Sequence, residues 1–227
     1  GSLFPDTGIE SGDRHGADYI VDTAREHPGE ITLVCIAPLT NVALALRREP
    51  ELNDLLDEVW IMGGNVNCLG NVTPAAEYNF WVDPDAAKMV LNELDVTLFD
   101  WGLTRRDTVF DADILDRIEA IDTPYADFYT EITTRVRAFN RESFGEAVTT
   151  QPDSAVVAGL IDPDLIRESH TDHVDVDERE GLTRGYSAVD EDGVGDGDPR
   201  TEVVTSLDAE GFRALLVRML EDGTPDP

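Results

Sequence analysis

Residues 62–84 read MGGNVNCLGNVTPAAEYNFWVDP, a glycine-rich polar loop set between two apolar runs. The run Val59 to Met62 before it has strand character, and Asp83-Pro84 after it opens an apolar-periodic helix, so the loop leaves the carboxyl end of a strand. In open α/β sheets that edge is where ligands bind. Asn71, Glu77 and Asn79 offer amide donors and acceptors and one carboxylate, and the glycines let backbone approach a ligand closely. This inventory suits a polyhydroxylated, sugar-like ligand. The same residues also suit an ordinary polar loop in which Asn and Gly form turns.

Working outward, Ile31 to Ile36, ITLVCI, is a continuous apolar run rich in β-branched residues, as expected of a strand buried on both faces of a parallel sheet. Pro38 to Arg48 follows with apolar residues at helical spacing and Thr40 or Asn41 as candidate caps. Glu58 to Met62 is the next strand, Pro84 to Glu93 the next helix, and Asp95 to Phe99 another strand. This β-α repetition predicts an α/β fold, a doubly wound, mostly parallel sheet with a Rossmann-like core. Asp111 to Arg141 turns helical, with a break near Pro124 that predicts two or three helices, and Ser154 to Ile161 is a short apolar helix. His173 to Asp177, Thr183 to Val189 and Thr201 to Ser206 read as a terminal strand meander, closed by a helix over Ala209 to Glu221. The polar stretch Val189 to Pro199, VDEDGVGDGDP, reads as a loop joining strands.

The chain has 227 residues and a formal net charge of -31, from 48 acids against 17 bases, with Lys88 the only lysine. Such a charge repels nucleic acid and anionic membranes, so neither is an expected partner. Acids are spread along the whole chain between apolar runs, unlike the blocks of an acidic tail. Self-repulsion of this size is relieved at about 1 M salt, where the Debye length is roughly 3 Å, which points to the high-KCl cytosol of a halophile. Cys35 and Cys68 are too few for a disulfide framework and lack metal-ligand spacing. No apolar stretch of membrane-spanning length and no signal sequence is present. A cytoplasmic location is expected.

Five fragments stand in order along the chain: PLTNVALALRREP from Pro38, IMGG from Ile61, NVTPAAEYN from Asn71, DPDAA from Asp83 and DSAVVAGLIDP from Asp153. Each alone is weak; in register they resemble closely the inosine-uridine-preferring nucleoside hydrolase family, and the match covers nearly the whole chain. The resemblance implies one nucleoside hydrolase domain over residues 1–227, of halophilic archaeal type. It implies a Ca²⁺-dependent nucleoside N-ribohydrolase, serving purine or pyrimidine salvage, that cleaves the bond between ribose and base with water as nucleophile. The transition state is oxocarbenium-like, so the site must hold the sugar, stabilise positive charge and deliver a polarised water.

Carried over residue by residue, Asn71, Glu77 and Asn79 match the family's ribose-binding residues, and Met62 matches the residue lying against the ribose. Asp153 matches a carboxylate ligand of Ca²⁺, and Ile36 the residue whose backbone carbonyl is another; Asp153 also reads as a helix N-cap. Tyr78, Phe139 and Phe144 are candidates for the base pocket, since aromatic rings stack on a base. A homo-oligomer, dimer or tetramer, is implied. Three departures count against activity. The family's opening strand and its DxDxxxDD cluster are absent from these residues, so the resemblance implies a chain lacking that amino-terminal part; Asp6 and Asp13 read as loop. Pro152 stands where many members carry a histidine that protonates the leaving base, and Gly102 where an aspartate is frequent. His170 and His173, in a carboxy-terminal strand region, read as structural or exposed. No catalytic residue is retained, and the alternative is an inactive remnant or a ribose- or nucleoside-binding module.

Overall fold

The computed structural model describes residues 8–145 and 147–222. The chain opens on α1 (Gly16–Glu26) and β1 (Thr32–Cys35), followed by α2 (Thr40–Arg48), the single turn α3 (Leu52–Leu55) and β2 (Glu58–Met62). Beyond the loop come α4 (Tyr78–Val82), α5 (Pro84–Glu93), β3 (Val96–Phe99) and α6 (Trp101–Asp107). Next are β4 (Val109–Phe110), α7 (Ala112–Glu119), the long α8 (Pro124–Phe144), β5 (Thr149–Thr150) and α9 (Pro152–Ile161). The chain continues through β6 (Ile166–Asp172), β7 (Val174–Val176), β8 (Ser187–Val189), β9 (Thr201–Leu207) and α10 (Ala209–Asp222).

Helix starts follow local chemistry. Asp83 accepts the amide of Ala86 at 3.1 Å with Pro84 in the first turn of α5, which satisfies an end donor and presets the backbone. Asp111 caps α7 and Thr123 caps α8 in the same way. At α2 the expected cap is corrected: Leu39 holds that position without a side-chain bond, and the Thr40 hydroxyl instead donates to Asp83 at 2.5 Å. Thr40 thereby joins the starts of two helices.

The main sheet has strand order β1-β2-β3-β9-β6. Strands β1, β2, β3 and β9 are parallel, with Cys35 opposite Ile61, Met62 opposite Phe99, and Phe99 opposite Val204. The α/β, mostly parallel, doubly wound expectation therefore holds. Successive residues of a strand face opposite sides, and two cores result. Val59, Ile61, Leu98 and Val203 pack with α1, α2 and α5, while Trp60, Met62, Phe99 and Val204 pack with α6, α7, α9 and α10. Gly159 lets α9 approach closely, since a Cβ there would lie 2.7 Å from the Phe99 ring.

The terminal meander is corrected. Strand β9 enters the sheet parallel to β3, and β6 lies antiparallel on its outer side. Strands β7 and β8 form a separate antiparallel pair whose Val174 and Val176 join the core beside α5. The polar loop between β8 and β9 is pinned by Asp190, which accepts the amides of Val194 and Gly195 at 2.8 and 2.7 Å. It joins strands, as read. No helix among the described residues is long and apolar enough to cross a membrane.

Candidate ribose-binding site

Strands β1, β2 and β3 end side by side, and the loop from Gly63 to Glu77 stands over their carboxyl edge. Gly63 donates to the Phe99 carbonyl at 3.1 Å and Trp101 donates to the Gly64 carbonyl at 3.0 Å, so the loop leaves β2 stitched to β3. Gly64 has φ +70°, and a Cβ there would lie 2.5 Å from the Ser187 hydroxyl and 2.7 Å from the Phe80 ring. Only glycine meets both demands. Farther along, the loop folds on itself: Gly70 donates to the Pro74 carbonyl, and Val72 to that of Ala76.

Glu77 is 2% exposed and caps α4. Its Oε2 accepts Gly64 N at 3.0 Å, Asn79 N at 2.9 Å and Phe80 N at 3.4 Å, and Oε1 accepts Asn79 N at 2.9 Å. Burial pushes its carboxyl upward, opposed by these backbone donors and by the Asn71 side chain. Oε1 accepts fewer backbone amides than Oε2. Asn79 is buried, and its amide donates to the Met62 carbonyl at 3.0 Å and contacts the Met62 sulfur at 3.5 Å. Asn71 is exposed and accepts the Tyr78 amide at 2.9 Å. Met62, Asn71, Glu77 and Asn79 thus form one cluster at the loop surface, where Asn71 is exposed and Met62, Glu77 and Asn79 are buried.

Three residues that hold this surface were not singled out from sequence. Asn65 is fully buried, donating to the Cys68 carbonyl at 2.9 Å and accepting the Glu77 amide at 3.2 Å. Asp100, just past β3, accepts Val66 N at 2.6 Å, Gly102 N and Leu103 N at 2.8 Å. It caps α6 and anchors the loop at once, while burial pushes its carboxyl upward. Its position directly after a strand and before an apolar turn was a readable signal. Ser187, which accepts the Asn65 amide at 3.2 Å, carried none.

Ile36 and Asp153 come together on a second feature, an apolar groove of about 260 Å³ that also includes Val157, Ile161, Leu216 and Met219. Ile36 directly follows β1, beside the end of β2. The cap reading of Asp153 is corrected: Gln151 takes the N-cap position of α9, and Asp153 lies in its first turn without a capping bond. Partial burial alone pushes its carboxyl upward. Pro152 begins α9, and the Gln151 amide donates to Tyr129 and Thr149 at 2.7 Å. His170 pairs with Asp172. His170 stands opposite Val203 of β9, and His173 follows Asp172, which stands opposite Thr201 at the amino end of that strand. Tyr78 is exposed at the start of α4 and Phe139 is exposed on α8. The Phe144 side chain and Asp6 lie outside the described residues. Asp13 precedes α1, outside helix and strand.

The fold is that of an α/β protein with amides and a buried carboxylate gathered in the loop at the carboxyl end of β2. The chain belongs to the inosine-uridine preferring nucleoside hydrolase family, whose description matches residues 1–214. It is 31% identical over 217 residues to the pyrimidine-specific ribonucleoside hydrolase RihB of Escherichia coli O17:K52:H18, covering 95% of this chain and 68% of the relative. Among solved structures it resembles the plant nucleoside hydrolase PpNRh1, with TM-score 0.85 and 25% identity, over 95% of this chain and 71% of that one. The purine-preferring ribonucleoside hydrolase from Gardnerella vaginalis gives TM-score 0.85 and 25% identity, over 96% of this chain and 69% of that one. Ribonucleoside hydrolysis is therefore the activity its family supports.

Proposed function

We propose that residues 1–227 are a single domain that grips the ribose of a ribonucleoside while its N-glycosidic bond is hydrolysed to free base and ribose. Ca²⁺ is the cofactor of this reading, and the transition state is oxocarbenium-like. The observation that carries it is the convergence of Met62, Asn71, Glu77 and Asn79 at the end of β2, with Glu77 buried and only one backbone amide on its Oε1. Glu77 accepts a sugar hydroxyl and sets a negative charge near the ring. In a water-poor site that charge favours the developing positive ribose far more than it would in bulk water. The Asn79 amide nitrogen is committed to Met62, so its oxygen faces the ligand as an acceptor, and Met62 lies against the sugar.

Asp153 and the Ile36 carbonyl suit Ca²⁺ in kind, being oxygen donors around one groove, with the carboxylate partly desolvated and uncapped. Two donors fall short of the 6 to 8 oxygens the ion takes; the family's DxDxxxDD pattern, sugar hydroxyls and water would complete the set. When bound, Ca²⁺ supplies a polarised water and a second hold on the sugar hydroxyls. Pro152 can give no proton to the leaving base, so that base departs against Tyr78 and Phe139 without help from residue 152. The acidic surface suits a halophile cytosol, and assembly into a dimer or tetramer follows the family resemblance.

The test has two arms in molar KCl. Residues 1–227 bind ribose in a calorimetric titration. The same residues joined to a family segment bearing DxDxxxDD, with Ca²⁺ present, release base from at least one of inosine, uridine, adenosine and cytidine. Absence of both ribose binding and turnover would sink the reading.

A further inference from the structure

We propose that Ser187 is a positioning residue for the ribose site: its hydroxyl fixes Asn65, and Asn65 in turn fixes Glu77. The inference rests on the ribose-binding reading of Glu77.

Asn65 uses every polar group it directs at the loop. Its backbone amide donates to Ser187 Oγ at 3.2 Å, its side-chain nitrogen to the Cys68 carbonyl at 2.9 Å, and its side-chain oxygen accepts the Glu77 amide at 3.2 Å. One side chain therefore spans both legs of the loop, and a shift of Asn65 carries the Glu77 backbone with it. An asparagine suits the position, because its amide offers a donor and an acceptor on separate atoms of one short stem. Aspartate would set a second oxygen against the Cys68 carbonyl, and an apolar residue would strand both groups without water.

Ser187 comes from 122 positions downstream and is 2% exposed. It opens β8 opposite Val176 of β7, and Val176 is buried in the core beside α5, so its hydroxyl is placed by a rigid element. The hydroxyl also lies where a Cβ on Gly64 would need to go, 2.5 Å from that position. A second tie runs to the exit of the same pair of strands, where the Asn67 amide donates to Glu191 at 2.8 Å. The carboxylate at the end of this chain of bonds is the one that would meet the sugar.

Ser187→Ala removes the acceptor and keeps the strand; Ser187→Thr restores a hydroxyl. Ribose affinity by calorimetry and amide hydrogen exchange at Asn65 and Glu77 are read in molar KCl, with the thermal midpoint alongside. The alanine variant is expected to bind ribose roughly ten-fold more weakly, the fold-change of one unmet buried hydrogen bond. It should also exchange faster at both amides, with the threonine variant returning within about two-fold of the parent. An alanine variant that loses thermal stability yet binds ribose like the parent would show a merely structural serine and overturn the proposal. So would unchanged exchange at Glu77. Failure of the parent itself to bind ribose would instead sink the ribose reading.

Discussion

Replacing Glu77 by glutamine separates grip on the sugar from stability of the loop. The carboxylate meets Gly64, Asn79 and Phe80 amides mainly through Oε2, and Asn79 alone among backbone groups through Oε1. A glutamine will therefore keep its oxygen at the Oε2 position and turn its NH₂ toward the Oε1 position. The backbone bonds to Oε2 survive without charge assistance and the Asn79 bond to Oε1 is lost, a cost of about 1–2 kcal/mol. Relief of the desolvation that pushes the Glu77 carboxyl upward offsets part of that cost. A midpoint shift of only about 2–4 °C per kcal/mol follows for a chain of this size. The sugar, however, now meets a donor where it needs an acceptor. Loss of a charged hydrogen bond of about 1.5–3 kcal/mol lowers ribose affinity roughly ten- to hundred-fold. Glu77→Ala differs, because it strands buried amides and should cost about 2–5 kcal/mol of stability. Thermal unfolding by circular dichroism and calorimetric ribose titration, both in molar KCl, measure the two effects. A glutamine variant that binds ribose within about two-fold of the parent, or unfolds as readily as the alanine variant, refutes this reasoning.

Three further outcomes follow from the same geometry. Burial raises the carboxyls of both Glu77 and Asp100, so the folded state holds more protons than the unfolded chain between the two sets of pKa values. Their contribution to stability is then greatest below the unfolded-state pKa values and falls as pH climbs from those to the raised folded-state ones. Ribose binding needs Glu77 ionised and so weakens at a higher pH on acidification than for an ordinary glutamate; a titration midpoint in the usual glutamate range would contradict this. Gly70→Ala places a Cβ 2.0 Å from the Ala76 carbonyl oxygen, which the backbone must open to admit. That displaces Asn71, and ribose affinity should fall roughly ten-fold or more with little change in the helical circular dichroism; undisturbed binding would count against the tight loop crossing. With a net charge of -31, the thermal midpoint should rise steadily as KCl goes from about 0.1 to 2 M, and a salt-independent midpoint would remove the case for a halophile setting.

Much of the fold was readable because the signals are local. Glu58 to Met62 and Pro84 to Glu93 were placed to the residue, the first by a run apolar on both faces, the second by an Asp-Pro start. The strand β6, IRESHTD, escaped notice because it lies at an edge of the sheet and carries mostly polar, part-exposed side chains. Strands β4 and β5, of 2 residues each, are too short for any periodicity. In the site, Asn71, Glu77 and Asn79 were legible from one stretch of sequence, and so was their attachment to the end of β2. Asp153 was legible as a carboxylate at the start of a helix, yet its place beside Ile36 in a shared groove needed the packing of α9 and α10.

The sequence alone determined that a polar loop follows a buried parallel strand, and which side chains that loop carries. Hydrophobic periodicity and helix starts act over a few residues, and the five fragments in register lie open to direct reading. Tertiary structure decided how those side chains are aimed. Strand β9 joined the sheet parallel to β3, a choice among pairings that its own seven residues do not make. The Glu77 carboxylate became buried and mostly committed to backbone amides, because Gly64 and Asn79 close around it. The bond from Asn65 to Ser187 joins positions 122 apart, and contacts at that range arise only when separate elements share one core.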